Sequence, residues 1–170
     1  MLRRAILAAA ALAVVSACAD EGPPPEPVSV EAVTATTLPS AVVGAVVGAP
    51  LQFRVLSSSG KAIRGVPVEV TVTSGGGTVA RAVTKTRSGA TSVGAWTLGT
   101  AAGPQTLSVR VRPFAPIVFT VNATPAAASA IQASALTAPR APANTPIPDT
   151  LRVRLIDAFG NGVPNVTVNW

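Results

Sequence analysis

From residue 28 onward the chain alternates apolar and polar residues in short runs punctuated by Gly, Pro and Ser. Leu51, Phe53 and Val55 alternate with Gln52 and Arg54, and Val66, Val68, Val70 and Val72 alternate with Pro67, Glu69 and Thr71. The same pattern returns at Leu107, Val109 and Val111, and again at Ile117, Phe119 and Val121. A period of two over runs this short is the pattern of half-buried antiparallel strands. Further strands are predicted at residues 28–36, 79–86 and 91–98, with turns at 57–61, 74–77, 88–89 and 103–104. No stretch after the N-terminal apolar run has a capped 3.6-residue period. The Ala-rich run 126–135 follows Pro125 and reads as a linker and first strand. Roughly seven short strands in about 95 residues predict an all-β, two-layered antiparallel sandwich.

An internal repeat organises the rest. Sliding the chain by 100 residues lays 51–70 over 151–170 with no gap. Leu51/Leu151, Arg54/Arg154, Gly60/Gly160, Val66/Val166 and Val68/Val168 are identical. Phe53/Val153, Val55/Leu155, Leu56/Ile156, Ile63/Val163 and Val70/Trp170 exchange one apolar residue for another. A period of this length is too long for a solenoid and fits tandem sandwiches. The second copy reaches only Trp170, so one complete domain and the opening part of another are expected, with the natural product continuing further.

The segment from Leu151 to Trp170 carries an alternating strand followed by Asp157, Gly160-Asn161, Val163-Pro164, Val166, Val168 and Trp170. That D-x-x-G-N-x-V-P-x-V-x-V-x-W pattern resembles the opening of a bacterial immunoglobulin-like domain of the invasin/intimin type (group 1). The first copy departs from it: Ser57 and Lys61 stand for the Asp and Asn, Arg64 for the Pro, and Val70 for the Trp. Its later part, Gly94-Ala95-Trp96-Thr97-Leu98-Gly99 followed by Gly103-Pro104-Gln105-Thr106-Leu107, resembles the strand–turn–strand that closes such domains. The resemblance implies an immunoglobulin-like β-sandwich in tandem, with the second copy incomplete and Trp170 filling a core. It implies structural spacers, stalks or interaction modules and no catalysis. Gly160-Asn161 suits a tight turn needing positive φ.

The N-terminus is an address. Arg3 and Arg4 precede an apolar run at 5–15, then Ser16, Ala17 and Cys18. This is the layout of a secretory signal peptide, and the run is too short to span a bilayer. Val15-Ser16-Ala17-Cys18 resembles the lipobox of bacterial lipoproteins, which implies cleavage before Cys18 and acylation of its thiol. Ordinary secretion through Ala17-Cys18-Ala19 is the competing reading. Residues 19–27 are acidic and Pro-rich, a semi-rigid extended spacer. The expected organisation is a lipoprotein signal peptide at 1–17, lipidated Cys18 with spacer at 18–27, a sandwich at 28–123, and linker plus partial second sandwich at 124–170.

Composition narrows the chemistry. With no His, a His-based triad, imidazole base and His metal ligand are excluded, and a single Cys excludes an internal disulfide. The net charge of +6 becomes 11 basic against 7 acidic residues, or +4, once Arg3 and Arg4 are removed. Glu31, Glu69, Asp149 and Asp157 are too few and too scattered for a paired-carboxylate site. Ser74-Gly75-Gly76-Gly77 precedes a strand, so it reads as a turn and not a phosphate loop. Asp157 with Asn161 reads as turn-forming, because a calcium site needs more oxygen ligands. Arg54, Arg110, Arg112, Arg152 and Arg154 take outward parity, with Arg54 expected in the opposite sheet from Arg110 and Arg112. Edge protection and solubility account for them. Trp96 reads as a core anchor and not a sugar-stacking platform. The sequons at Asn122 and Asn165 carry no weight beside a bacterial lipobox.

The expectation is therefore a non-catalytic lipoprotein, exported and anchored at Cys18 to the bacterial envelope (outer membrane or cell surface), with no cofactor and no metal. Its sandwiches act as a stalk or a protein-interaction and adhesion module. Expected partners are the membrane, through the anchor, and a protein or envelope polymer; nucleic acid is not expected, and the sequence leaves the oligomeric state open. The alternative is a carbohydrate- or polymer-binding module attached to an enzyme encoded beyond residue 170.

Overall fold

The computed structural model describes residues 25–133, 142–146 and 152–169. These residues form strands and no helix, and seven of the first nine strands build a sandwich of two sheets. One layer has the order β1(Pro27–Ala32), β3(Gln52–Ser57), β6(Thr91–Ser92), all antiparallel. The other has the order β2(Ala41–Val42), β9(Ile117–Thr124), β8(Gly103–Arg110), β4(Glu69–Ser74). A short ribbon pairs β5(Thr78–Ala80) with β7(Ala95–Thr97). The N-terminal segment serves both layers. It pairs through β1 with β3, then crosses to run parallel to β9 from the Thr37–Thr120 bridge to β2.

Alternation sets what lies inside. Phe53 and Val55 of β3, Leu107 and Val109 of β8, and Phe119 and Val121 of β9 face one another in a single core with Trp96 and Leu51. Each of these side chains stabilises the fold by about 1.5–3 kcal/mol through burial. The intervening Arg54, Arg110 and Val118 point outward, as a half-buried strand requires. Trp96 is buried in this core, and its Nε1 has no hydrogen-bond partner among the described residues.

Several predicted boundaries shift: the strand expected at 28–36 ends at Ala32, and the run 66–72 becomes a strand only from Glu69. The strand expected at 79–86 stops at Ala80, because Arg81 adopts φ 54°, outside the strand region. The chain then turns to lie along residues 66–68, with Val68 N–H donating to Thr84 O and Thr86 N–H to Val66 O, both at 2.9 Å. The strand expected at 91–98 is split into β6 and β7 at Gly94, whose φ of 124° brings it against the Ala80 carbonyl. Gly103-Pro104, expected as a turn, instead opens β8. Pro104 lies beyond the last pairing of β4, Ser74 with Thr106, so its missing N–H costs no bond to that strand. The turn at 74–77 is as expected, with positive φ at Gly75 and Gly76.

After β9, β10(Ala130–Ala133) pairs antiparallel with β11(Val153–Ile156). This pair repeats the β1–β3 pair. Val153, Arg154, Leu155 and Ile156 occupy the places of Phe53, Arg54, Val55 and Leu56. Trp170 and Cys18 lie outside the described residues.

Candidate functional site at the repeat junction

The turn after β3 and the turn after β11 share one backbone frame. In the first, Ser57 N–H donates to Lys61 O at 3.0 Å and Gly60 N–H to Ser57 O at 2.9 Å. In the second, Asp157 N–H donates to Asn161 O at 2.9 Å and Gly160 N–H to Asp157 O at 3.1 Å. Gly60 and Gly160 sit at φ 73° and 85°, the left-handed region that favours glycine. The frames match; the side chains on them do not.

The second turn stands on a prepared platform at the end of the first sandwich. Residues 99–102 connect β7 to β8 and are clamped from beneath by Gln105, which is buried on β8. Its Oε1 accepts from Gly99 N–H at 2.8 Å, and its Nε2 donates to Gly99 O at 3.2 Å and Ala101 O at 2.8 Å. Gly44 N–H adds a bond to Gly99 O at 3.1 Å. Both Gly99 and Gly75 are needed here, since a methyl at either would collide with the other segment or with Gln105. A buried amide side chain satisfied three times by backbone holds its loop rigidly.

The carboxamide of Asn161 docks on that loop. Its Nδ2 donates to Thr100 O at 2.8 Å and its Oδ1 accepts from Ala102 N–H at 2.9 Å. Asp157 holds the turn that presents it. Oδ1 accepts from the N–H groups of Phe159 at 2.9 Å and Asn161 at 2.8 Å. Oδ2 accepts from Asn161 Nδ2 at 2.8 Å and from Ala126 N–H at 3.0 Å. Ala126 lies two residues beyond β9, so one carboxylate ties the start of the linker to the turn. Asp157 is only 2% exposed. Burial alone would raise its pKa, but the bonds from the Asn161 side chain and from the Ala126, Asn161 and Phe159 amides outweigh it and bring it down to about 2. Its oxygens face N–H donors, which is the chemistry of a turn anchor and not of a cation site.

The other residues singled out in the sequence fall elsewhere. Arg54 pairs with its cross-strand neighbour Glu31 at 3.6 Å, with both side chains about half exposed, an interaction worth little. Arg110 and Arg112 belong to the opposite layer's side, and Arg152 and Arg154 are exposed on the second copy. Glu69 is exposed on β4, in the other sheet from Glu31. Asp149 lies outside the described residues. Sequence reasoning treated Asp157 and Asn161 as a local turn and missed both the reach to residues 100–102 and the role of Gln105. The exchange of Ser57 and Lys61 for Asp157 and Asn161 was the available signal.

No protein-family model matches the chain, and no curated protein sequence matches it. Among solved structures, it is similar to the surface layer protein SbsC, domains 1–6, at 20% identity and a TM-score of 0.44. That alignment covers 84% of this chain and 18% of the other.

Proposed function

We propose that this chain is a non-catalytic spacer of tandem immunoglobulin-like sandwiches, exported and held at the bacterial envelope by acylated Cys18. The strand order supports the immunoglobulin-like reading: β1, β3 and β6 in one layer, β4, β8 and β9 in the other. The observation that carries the function is the Asn161 carboxamide seated between Thr100 O and Ala102 N–H. A flexible tether needs no such bonds, whereas a spacer that sets distance and direction must fix each unit on the last. The lipobox resemblance at 15–18 and the Pro-rich segment at 19–27 supply the anchor and standoff of this reading.

Spin labels at Glu69→Cys and Thr167→Cys, in a Cys18→Ser background, test the spacer. A single narrow distance distribution by pulsed electron paramagnetic resonance is expected, and a broad one would refute a fixed junction. Metabolic labelling with a fatty acid tests the anchor: label is expected in the native chain and absent from Cys18→Ser.

A further inference from the structure

A second feature is independent of the junction. A cleft of about 820 Å³ is lined by residues 47–50, by 80–85 with Arg87, and by Ser92, Gly94 and Ala95. It is broad and open to solvent, so a longer chain can lie along it. Three cations line it, Arg81, Lys85 and Arg87, and no carboxylate does. All three are exposed, and none is in an ion pair among the described residues.

The backbone that carries these cations is fixed. Thr86, buried between Lys85 and Arg87, donates its hydroxyl to Ile63 O at 2.7 Å and accepts from Val66 N–H at 3.0 Å. With Thr86 turned inward, the alternation of an extended chain sends Lys85 and Arg87 to the outer side together. Val83 N–H is bonded to Val93 O at 3.0 Å, and Arg87 N–H to Thr91 Oγ1 at 3.0 Å. Arg81 stands where the backbone is left-handed, a place Gly or Asn would fill with less strain. The remaining lining is Gly, Ala, Pro, Val, Thr and Ser, so a bulky chain can approach the backbone closely.

We propose that this cleft binds an acidic polysaccharide, with Arg81, Lys85 and Arg87 each meeting carboxylates on successive sugar units. Guanidinium and ammonium groups on a rigid frame bind such anions through charge-assisted hydrogen bonds. Single-stranded nucleic acid fits less well, because the cleft has no aromatic side chain on which a base could stack. The inference does not rest on the spacer reading.

The test is calorimetric titration of the full chain with hexagalacturonate. Binding is expected to weaken between about 20 and about 200 mM NaCl with a log–log slope near −2, from roughly 0.7 for each of three cations. The triple variant Arg81→Ala, Lys85→Ala, Arg87→Ala is expected to lose roughly tenfold or more in affinity. The charge-matched triple Arg54→Ala, Arg110→Ala, Arg112→Ala is expected to stay within about twofold of the native chain. Thermal melts of both triples establish that they fold. The proposal is overturned by absence of binding, by equal losses in the two triples, or by equal binding of the fully methyl-esterified hexamer. Tighter binding of single-stranded oligothymidylate that depends on the same three residues would also overturn it, in favour of nucleic acid.

Discussion

The turns at 57–61 and 157–161 are the same backbone put to two uses. In the first, Ser57 Oγ stays at home, 2.9 Å from Ser59 Oγ and 3.2 Å from Lys61 O, and Lys61 is exposed. In the second, a carboxylate and a carboxamide at the same two positions bind the turn, the linker and the preceding sandwich. Glycine at positive φ and flanking alternation decide that a hairpin forms. Two polar side chains decide whether it is merely a hairpin or also a joint.

The largest effect expected on this contrast comes from beneath the joint. Gln105→Ala leaves the Gly99 N–H and the Gly99 and Ala101 carbonyls without their side-chain partner, costing about 1–3 kcal/mol in chemical denaturation. It should also free the platform while leaving the 57–61 turn unchanged. Next comes Asp157→Ala, which releases four N–H donors on both sides of the junction. Amide exchange should rise at Ala126, Phe159 and Asn161 and stay constant at Gly60.

Acid should act as a graded version of that substitution. The folded-state pKa of Asp157 lies below the ordinary carboxylate value of 3.8, at about 2. Its stabilisation is therefore fully present above the unfolded-state value and is lost as pH falls through about 2. The junction should hold unchanged from neutrality to mildly acidic pH and loosen below about pH 4, and Asp157→Ala should abolish that dependence. The Asn161 side-chain NH₂ resonances, followed by NMR, report the titration. Smaller again is the reverse transplant, Ser57→Asp with Lys61→Asn. It should tighten the first turn locally and shift overall stability by no more than about 0.5 kcal/mol, because Pro27, the residue paired with Ser57, has no N–H to donate to the new carboxylate.

How much of this could be read from the sequence follows the same division. Period-two alternation exposed β3, β8 and β9, since burial of Phe53, Leu107 and Phe119 on one side leaves a local trace. The gapless 100-residue match exposed the repeat of strand and turn. Where the chain obeys distant neighbours, the pattern fell silent. Arg81 ends β5 to let the chain lie along residues 66–68, and Gly94 splits β6 from β7 because the Ala80 carbonyl is against it. Neither contact is local. The same holds for the site: Asp157 and Asn161 were visible as turn formers, but their partners lie 31 and about 60 positions away in the chain. Gln105 looked like one polar residue at the start of a strand until its three loop partners were in place.

The central claim is that Asn161 fastens the second repeat to the first, and one amide reports it. Ala102 N–H lies on an exposed loop, and its acceptor among the described residues is Asn161 Oδ1. Hydrogen exchange at Ala102 should be slow in the native chain and about fivefold faster in Asn161→Lys, as loss of roughly 1 kcal/mol predicts. Exchange at Val163, whose N–H stays bonded to Leu155 O within the second copy, should hold constant. An Ala102 amide already unprotected in the native chain, or equally protected after Asn161→Lys, would contradict the account.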